Sequence, residues 1–223
     1  MLPDQRGAGR SDRGTVERWT LDTWIADIPA FCDALGIEHP ILLGQSFRGI
    51  VALGVAARHP QLPAKLIVSS SAARIRLDRA LPMFERLGGA AAREVAVRFF
   101  ESPTPESLTA YWATCLPLYN PTPADPDLFA RAIFHEELAL HFWADEIKRF
   151  DLFPEVVRIA CPTLILAGKL DPITTIPDHQ ELSAAIRGSR LEIFPDAGHG
   201  VFRDKPEEAL AVIRDFLMQP TPD

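Results

Sequence analysis

Residues 40–49 read Pro40-Ile-Leu-Leu-Gly44-Gln-Ser46-Phe-Arg48-Gly49, and the reading of this stretch decides the fold. Its first half is a short apolar run bounded by proline and glycine, the pattern of a strand buried on both faces of a sheet. Its second half opens a helical stretch of roughly 47–58 without a linker. A serine at that junction is lifted onto a tight strand-to-helix turn, with its hydroxyl exposed at the carboxyl end of the sheet. The helix N-terminus below it offers free N–H groups and a positive dipole end, suited to a developing oxyanion. The plainer alternative is a glycine-containing turn in which the serine only caps the helix.

Working outward, three more apolar runs match the first: residues 64–69 (AKLIVS), 162–168 (PTLILAG) and 190–194 (RLEIF). Upstream, Leu21, Trp24, Ile25, Ile28, Phe31, Cys32 and Leu35 recur at helical spacing over 20–36, with Pro29 predicting a kink or restart and Gly36 a stop. A helix over about 178–187 joins the last two strands, and PEEALAVIRDFL forms another near the end of the chain, with proline in its first turn. Short apolar strands alternating with helices predict an α/β fold with a parallel sheet. Residues 74–158 differ: they are rich in alanine and aromatics and carry prolines 103, 105, 117, 121, 123 and 126, which should divide them into short helices. Eighty-odd residues exceed a crossover connection. We expect a helical cap over 74–158, inserted into a core made of 1–73 and 159–223.

Composition limits the function classes. Net charge is −7 with no like-charge run, which argues against nucleic acid as partner. No apolar window is long enough to span a membrane, and the polar start MLPDQRGAGRSDRG lacks a secretory pattern. Cys32, Cys115 and Cys161 are odd in number and widely spaced, which fits a reducing, cytoplasmic setting better than a disulfide framework.

Two further sites complete the chemistry. Gly168-Lys-Leu-Asp171-Pro places a carboxylate beyond the third run, and Asp196-Ala-Gly-His199-Gly places a histidine beyond the fourth. A neutral imidazole can take the Ser46 proton while Asp171 fixes its tautomer. Asp196 is a weaker claimant to the acid role and better suited to shaping the turn. All three groups leave the carboxyl ends of parallel strands, where open α/β sheets place their sites.

With Ser46, Asp171 and His199 in that order, the chain resembles the α/β-hydrolase superfamily, whose nucleophile elbow is GxSxG. Residues 4–11 (DQRGAGRS) look like the loop after the fourth strand in proline iminopeptidases and related esterases and lactonases. The resemblance implies catalysis by Ser46, Asp171 and His199, an oxyanion donor in the Phe47 backbone N–H, and no cofactor. It implies a small-molecule ester, lactone or short peptide as substrate.

The chain departs from the family pattern twice. Arg48 stands where the elbow normally has its second glycine, so it must point outward or force a local shift. The DQRG stretch begins at residue 4, leaving the family's first strands and half of the oxyanion hole without a counterpart. An N-terminally truncated form or a start codon placed too late is the expectation, with loss of one donor costing about a hundred- to a thousandfold in rate. The run 40–44 would then be a sheet edge, and self-association through it is expected.

The substrate end is less legible. Phe84, Phe99, Phe100, Tyr111, Trp112, Phe129, Phe134, Phe142 and Trp143 should mostly pack the cap, with a few lining a pocket. Glu136 and Glu137 could receive a substrate amine or form a solvated helix face. A metal site is not expected: HExxH would need histidine at 139, which is alanine, and His135 and His141 lie on different helix faces. Gly7-Ala-Gly9 reads as a turn, and His39, His59 and His179 as loop or helix-end residues. The reading is a Ser-His-Asp hydrolase of an ester, lactone or small amide. The alternative is an impaired hydrolase-fold fragment or a small-molecule-binding protein.

Overall fold

A computed structural model describes residues 1, 3–125 and 127–220. A 3-10 turn (Val16–Arg18) precedes α1 (Leu21–Leu35), β1 (Ile41–Gln45), α2 (Phe47–Arg58) and β2 (Lys65–Ser69). The insertion follows as α3 (Leu77–Glu101), α4 (Pro105–Thr114), a 3-10 turn (Leu116–Tyr119), α5 (Asp127–Arg131), α6 (Glu136–His141), a π-helical turn (Phe142–Glu146), α7 (Ile147–Arg149) and α8 (Phe153–Val156). The chain then forms β3 (Thr163–Gly168), α9 (Ile176–Ala185), β4 (Arg190–Phe194), α10 (Val201–Asp204) and α11 (Pro206–Met218). The four strands pair in parallel in the order β1-β2-β3-β4, with Leu43 opposite Ile67, Ile67 opposite Leu164 and Ile165 opposite Leu191.

Two helical layers cover the sheet. On one face Leu42, Leu66, Val68 and Ile165 pack against α1, α2, α8 and α9. On the other, Ile67, Leu164, Leu166 and Phe194 pack against α10 and α11. β1 corrects the expectation of a strand buried on both faces: Ile41 and Leu43 are 52% and 51% exposed. They share the face of Ile67, where α11 lies over β3, and no helix among the described residues covers β1 there. An apolar run carries no information about how far a covering helix extends.

α1 begins where Thr20 accepts the Thr23 N–H and ends at left-handed Gly36 (φ 63°). It corrects the restart predicted at Pro29, running through that residue as one helix. Leu21, Trp24, Ile25 and Cys32 bury its inner face, and that packing outweighs the one backbone bond proline removes. From Pro103 onward the insertion is divided into short helices as its prolines suggest, while α3 precedes them. α3 takes 25 residues, contains Pro82, and bends at Gly89 (φ 76°), whose conformation an L-residue rarely adopts. Phe84, Phe99, Phe100, Leu108, Tyr111 and Cys115 give the insertion its own core. Pro126 and the side chain of Phe129 lie outside the described residues.

Candidate active site

Ser46 sits between β1 and α2 with φ 54° and ψ −128°, a conformation costing a non-glycine residue about 1–3 kcal/mol. Its N–H donates to the Ser69 carbonyl at 2.9 Å, and its carbonyl accepts from Gly49 and Ile50 at 2.8 and 3.2 Å. Those bonds hold the strained turn. Gly44 is required because a Cβ there would run into the Arg48 carbonyl where strand and helix cross. Gly49 meets the Ser71 side chain in the same way, so the tight packing falls on Gly44 and Gly49 and Arg48 is free to point outward, as its exposure shows.

The Ser46 hydroxyl lies 2.8 Å from His199 Nε2, and His199 Nδ1 lies 2.8 Å from Asp171 Oδ2. With Nδ1–H donating to the carboxylate, Nε2 is left to accept from the hydroxyl. Asp171 is fully buried and its two oxygens also accept from the Ile173 and Thr174 N–H groups (2.8 and 3.0 Å) and the Thr174 hydroxyl (2.7 Å). Burial alone would raise the Asp171 carboxyl; the charge and hydrogen bond of His199, with the Thr174 hydroxyl, outweigh it and hold it below its ordinary value. Ser46, His199 and Asp171 thus form an arrangement of serine-hydrolase type. Asp196 stays out of it, exposed and 3.9 Å from Lys205.

As the first residues of α2, Phe47 and Arg48 have N–H groups without intrahelical partners. The residues on either side of Ser46 line two cavities. Gln45 and His199 border one of about 660 Å3, with Trp112, Tyr119 and Asn120. Phe47 and Arg48 border another of about 760 Å3, with Trp24, Phe142 and Trp143. Trp112 and Phe134, one in each wall, stack edge to face at 4.6 Å.

Other sequence candidates have separate roles. Glu136 and Glu137 are exposed at the start of α6 and line neither cavity. His135 Nδ1 meets the Gly7 carbonyl at 2.9 Å and His141 Nε2 the Trp19 carbonyl at 3.1 Å, both rings edge-on to Trp19. His141, Asp145 and Glu146 come within metal-ligand range of one another. Each also has a structural partner: His141 Nε2–H donates to the Trp19 carbonyl, and both carboxylates accept from Arg149. Gly7 and Gly9 form turns as expected. His179 is corrected from a loop or helix-end residue to a fully buried member of α9. The three cysteines are buried, and burial pushes the Cys115 thiol up to about 11, so that thiol does not compete with Ser46 as nucleophile.

Sequence reasoning missed the groups that hold the triad. Tyr119 accepts the His199 N–H at 2.7 Å through its carbonyl and stacks edge-on to the imidazole, while the Gln45 amide donates to the His199 carbonyl at 3.1 Å. Asp204 accepts from the Gly198 N–H (2.8 Å), the Asn120 amide (2.8 Å) and the Thr122 N–H (3.1 Å), tying residues 119–122 of the insertion to the histidine loop. No local pattern signals the long-range contacts, which join residues 119–122 to positions about 80 further on and Gln45 to His199 across 154.

A family profile described as alpha/beta hydrolase fold matches residues 1–206. The AB hydrolase superfamily protein YisY of Bacillus subtilis is 30% identical, over 96% of this chain and 79% of its own length. The 2-hydroxymuconate semialdehyde hydrolase of Pseudomonas sp. strain CF600 is 27% identical, over 98% of this chain and 76% of its own. Among solved structures, proline iminopeptidase of Mycobacterium smegmatis superposes with a TM-score of 0.77 at 25% identity, covering 96% of this chain and 77% of that one.

Proposed function

The chain belongs to the α/β-hydrolase fold family, and from that premise we propose that it is a cofactor-independent serine hydrolase of a carboxylic ester, lactone or small amide. The observation that carries this reading is the unbroken relay from Ser46 to His199 to Asp171, with two 2.8 Å links, on a strained elbow. Ser46 Oγ attacks the substrate carbonyl as His199 Nε2 takes its proton, and Asp171 balances the imidazolium. The tetrahedral oxygen is received by the Phe47 N–H. His199 then protonates the leaving group, and water, deprotonated by the same nitrogen, releases the acyl enzyme. Residues 74–158 act as the lid over this site, with the rest of the chain as core.

Within the substrate class, the surroundings favour esters and lactones over N-terminal peptides. A peptidase acting on a free amine needs acidic groups facing the substrate, yet Glu136 and Glu137 line neither cavity, and Asp4, the carboxylate that does, is held by Arg10. The test is hydrolysis of p-nitrophenyl butyrate and proline p-nitroanilide side by side, with Ser46→Ala as blank. Turnover of the ester that depends on Ser46 supports the reading; turnover of the anilide alone would reverse the preference; equality with the blank on both would favour a binding protein.

The unpaired outer edge of β1, with Ile41 and Leu43 exposed, supports self-association through that edge, which light scattering at micromolar concentration tests. Three separated free thiols support a cytoplasmic setting. No helix among the described residues is long and apolar enough to cross a membrane.

A further inference from the structure

The cavity beside Phe47 has apolar aromatic walls and a cationic rim: Arg6, Arg10, Arg48 and Arg131 face it, against the single carboxylate of Asp4. Three of these arginines are already committed. Arg6 makes two hydrogen bonds to Asp27 (2.9 and 2.6 Å), Arg10 binds Asp4 at 3.0 Å, and Arg131 binds Asp125 at 2.7 Å. Arg48 forms no side-chain hydrogen bond or ion pair among the described residues; Asp4 feels its charge, but both bonds given to that carboxylate come from Arg10. Arg48 also stands in the first turn of α2, where a cation opposes the helix dipole. An unpaired guanidinium at an unfavourable helix end, two residues beyond the nucleophile and at the mouth of an aromatic cavity, is a receptor for an anion.

Resting on Ser46 as the nucleophile, we propose that Arg48 determines specificity by receiving a carboxylate carried by the substrate. The preferred substrates are then esters or lactones of amphipathic acids, whose hydrocarbon part lies in the cavity against Phe142 and Trp143 while the carboxylate reaches the rim. The same residue accounts for the departure from the glycine expected at that elbow position: the small residue is dispensable there because Gly44 and Gly49 carry the close packing.

The experiment measures kcat/KM for p-nitrophenyl hemiglutarate and p-nitrophenyl butyrate, which differ mainly by the carboxylate, in wild type, Arg48→Gln and Arg48→Lys. The ratio of anionic to neutral ester should fall about tenfold or more in Arg48→Gln and recover in part in Arg48→Lys. It should also shrink in wild type as salt is raised from low to high concentration. In parallel, calorimetry on Ser46→Ala compares glutaranilic acid with butyranilide, and the preference for the acid should vanish in Ser46→Ala/Arg48→Gln. This binding arm does not depend on turnover. If wild type cleaves neither ester while Ser46→Ala still prefers the acid through Arg48, hydrolysis fails and the anion site stands. A ratio unchanged within twofold in Arg48→Gln, or no preference for the acid in the binding arm, including no binding at all, overturns the proposal.

Discussion

Replacing Asp171 by asparagine removes one oxygen and its charge while leaving the rest of the buried side chain in place. Oδ1 keeps its bonds from the Ile173 and Thr174 N–H groups at 2.8 and 3.0 Å, so the loop after β3 should hold. The new NH2 group, however, stands where Oδ2 accepted from His199 Nδ1 at 2.8 Å and from the Thr174 hydroxyl at 2.7 Å. The hydroxyl can rotate and accept. The imidazole has only one response: it shifts to the tautomer with Nδ1 accepting and Nε2 protonated, which leaves Ser46 facing a donor instead of a base. The expected loss is about 10⁴-fold in kcat, equivalent to about 5.5 kcal/mol at 1.36 kcal/mol per decade. KM should change little, because the interaction acts in the transition state. The assay is steady-state hydrolysis of p-nitrophenyl butyrate, with circular dichroism and a melting curve to establish that the variant is folded. A folded variant that retains more than a tenth of wild-type kcat would sink the assignment of Asp171 as the group that sets the His199 tautomer.

Gly44→Ala should cut activity at least tenfold and destabilise the fold by about 1–3 kcal/mol, because its Cβ collides with backbone at the elbow; wild-type kcat in that variant would contradict the packing described. Asp204→Ala frees the Gly198 and Thr122 N–H groups and the Asn120 amide together, and should cost about 1–3 kcal/mol in chemical denaturation with a parallel fall in kcat. A variant as stable and active as wild type would show that the clasp is not needed. Burial lowers the His179 pKa in the folded protein, so on acidification the unfolded chain binds the proton first. The stability that neutral His179 contributes is therefore full above its unfolded value of about 6.5 and declines as pH falls from there toward the depressed folded value. Thermal melting from pH 7 to pH 5 should show a flatter dependence for His179→Gln than for wild type, and equal slopes would contradict it.

The parts of the site that were legible in sequence are those encoded locally. Ser46, Asp171 and His199 each follow within five residues of a strand's end, and each strand announces itself as a short apolar run. The supports were not legible because they join distant segments. Thr174 is only three residues from Asp171, yet its hydroxyl matters only because the loop folds back on the carboxylate. Tyr119 and Asp204 act across about 80 residues. The fold shows the same division: apolar periodicity located β1 and α2, but could not reveal that one face of β1 lies beyond the reach of α11. Pro29 weakened the reading of a helix that tertiary burial sustains.

The clasp at Asp204 couples the insertion to the catalytic histidine. Residues 119–122 are fastened to the histidine loop by the Tyr119 carbonyl and by two bonds to Asp204. An opening that lifted this corner would pull His199 away from Ser46 and interrupt the relay on every turnover. The arginine-rimmed cavity is bordered by other parts of the insertion, residues 131–135 and 138–139, which do not take part in this clasp. A change that shifted the clasped corner would therefore reach the base of the relay directly, so the insertion and the proton path share one fastening.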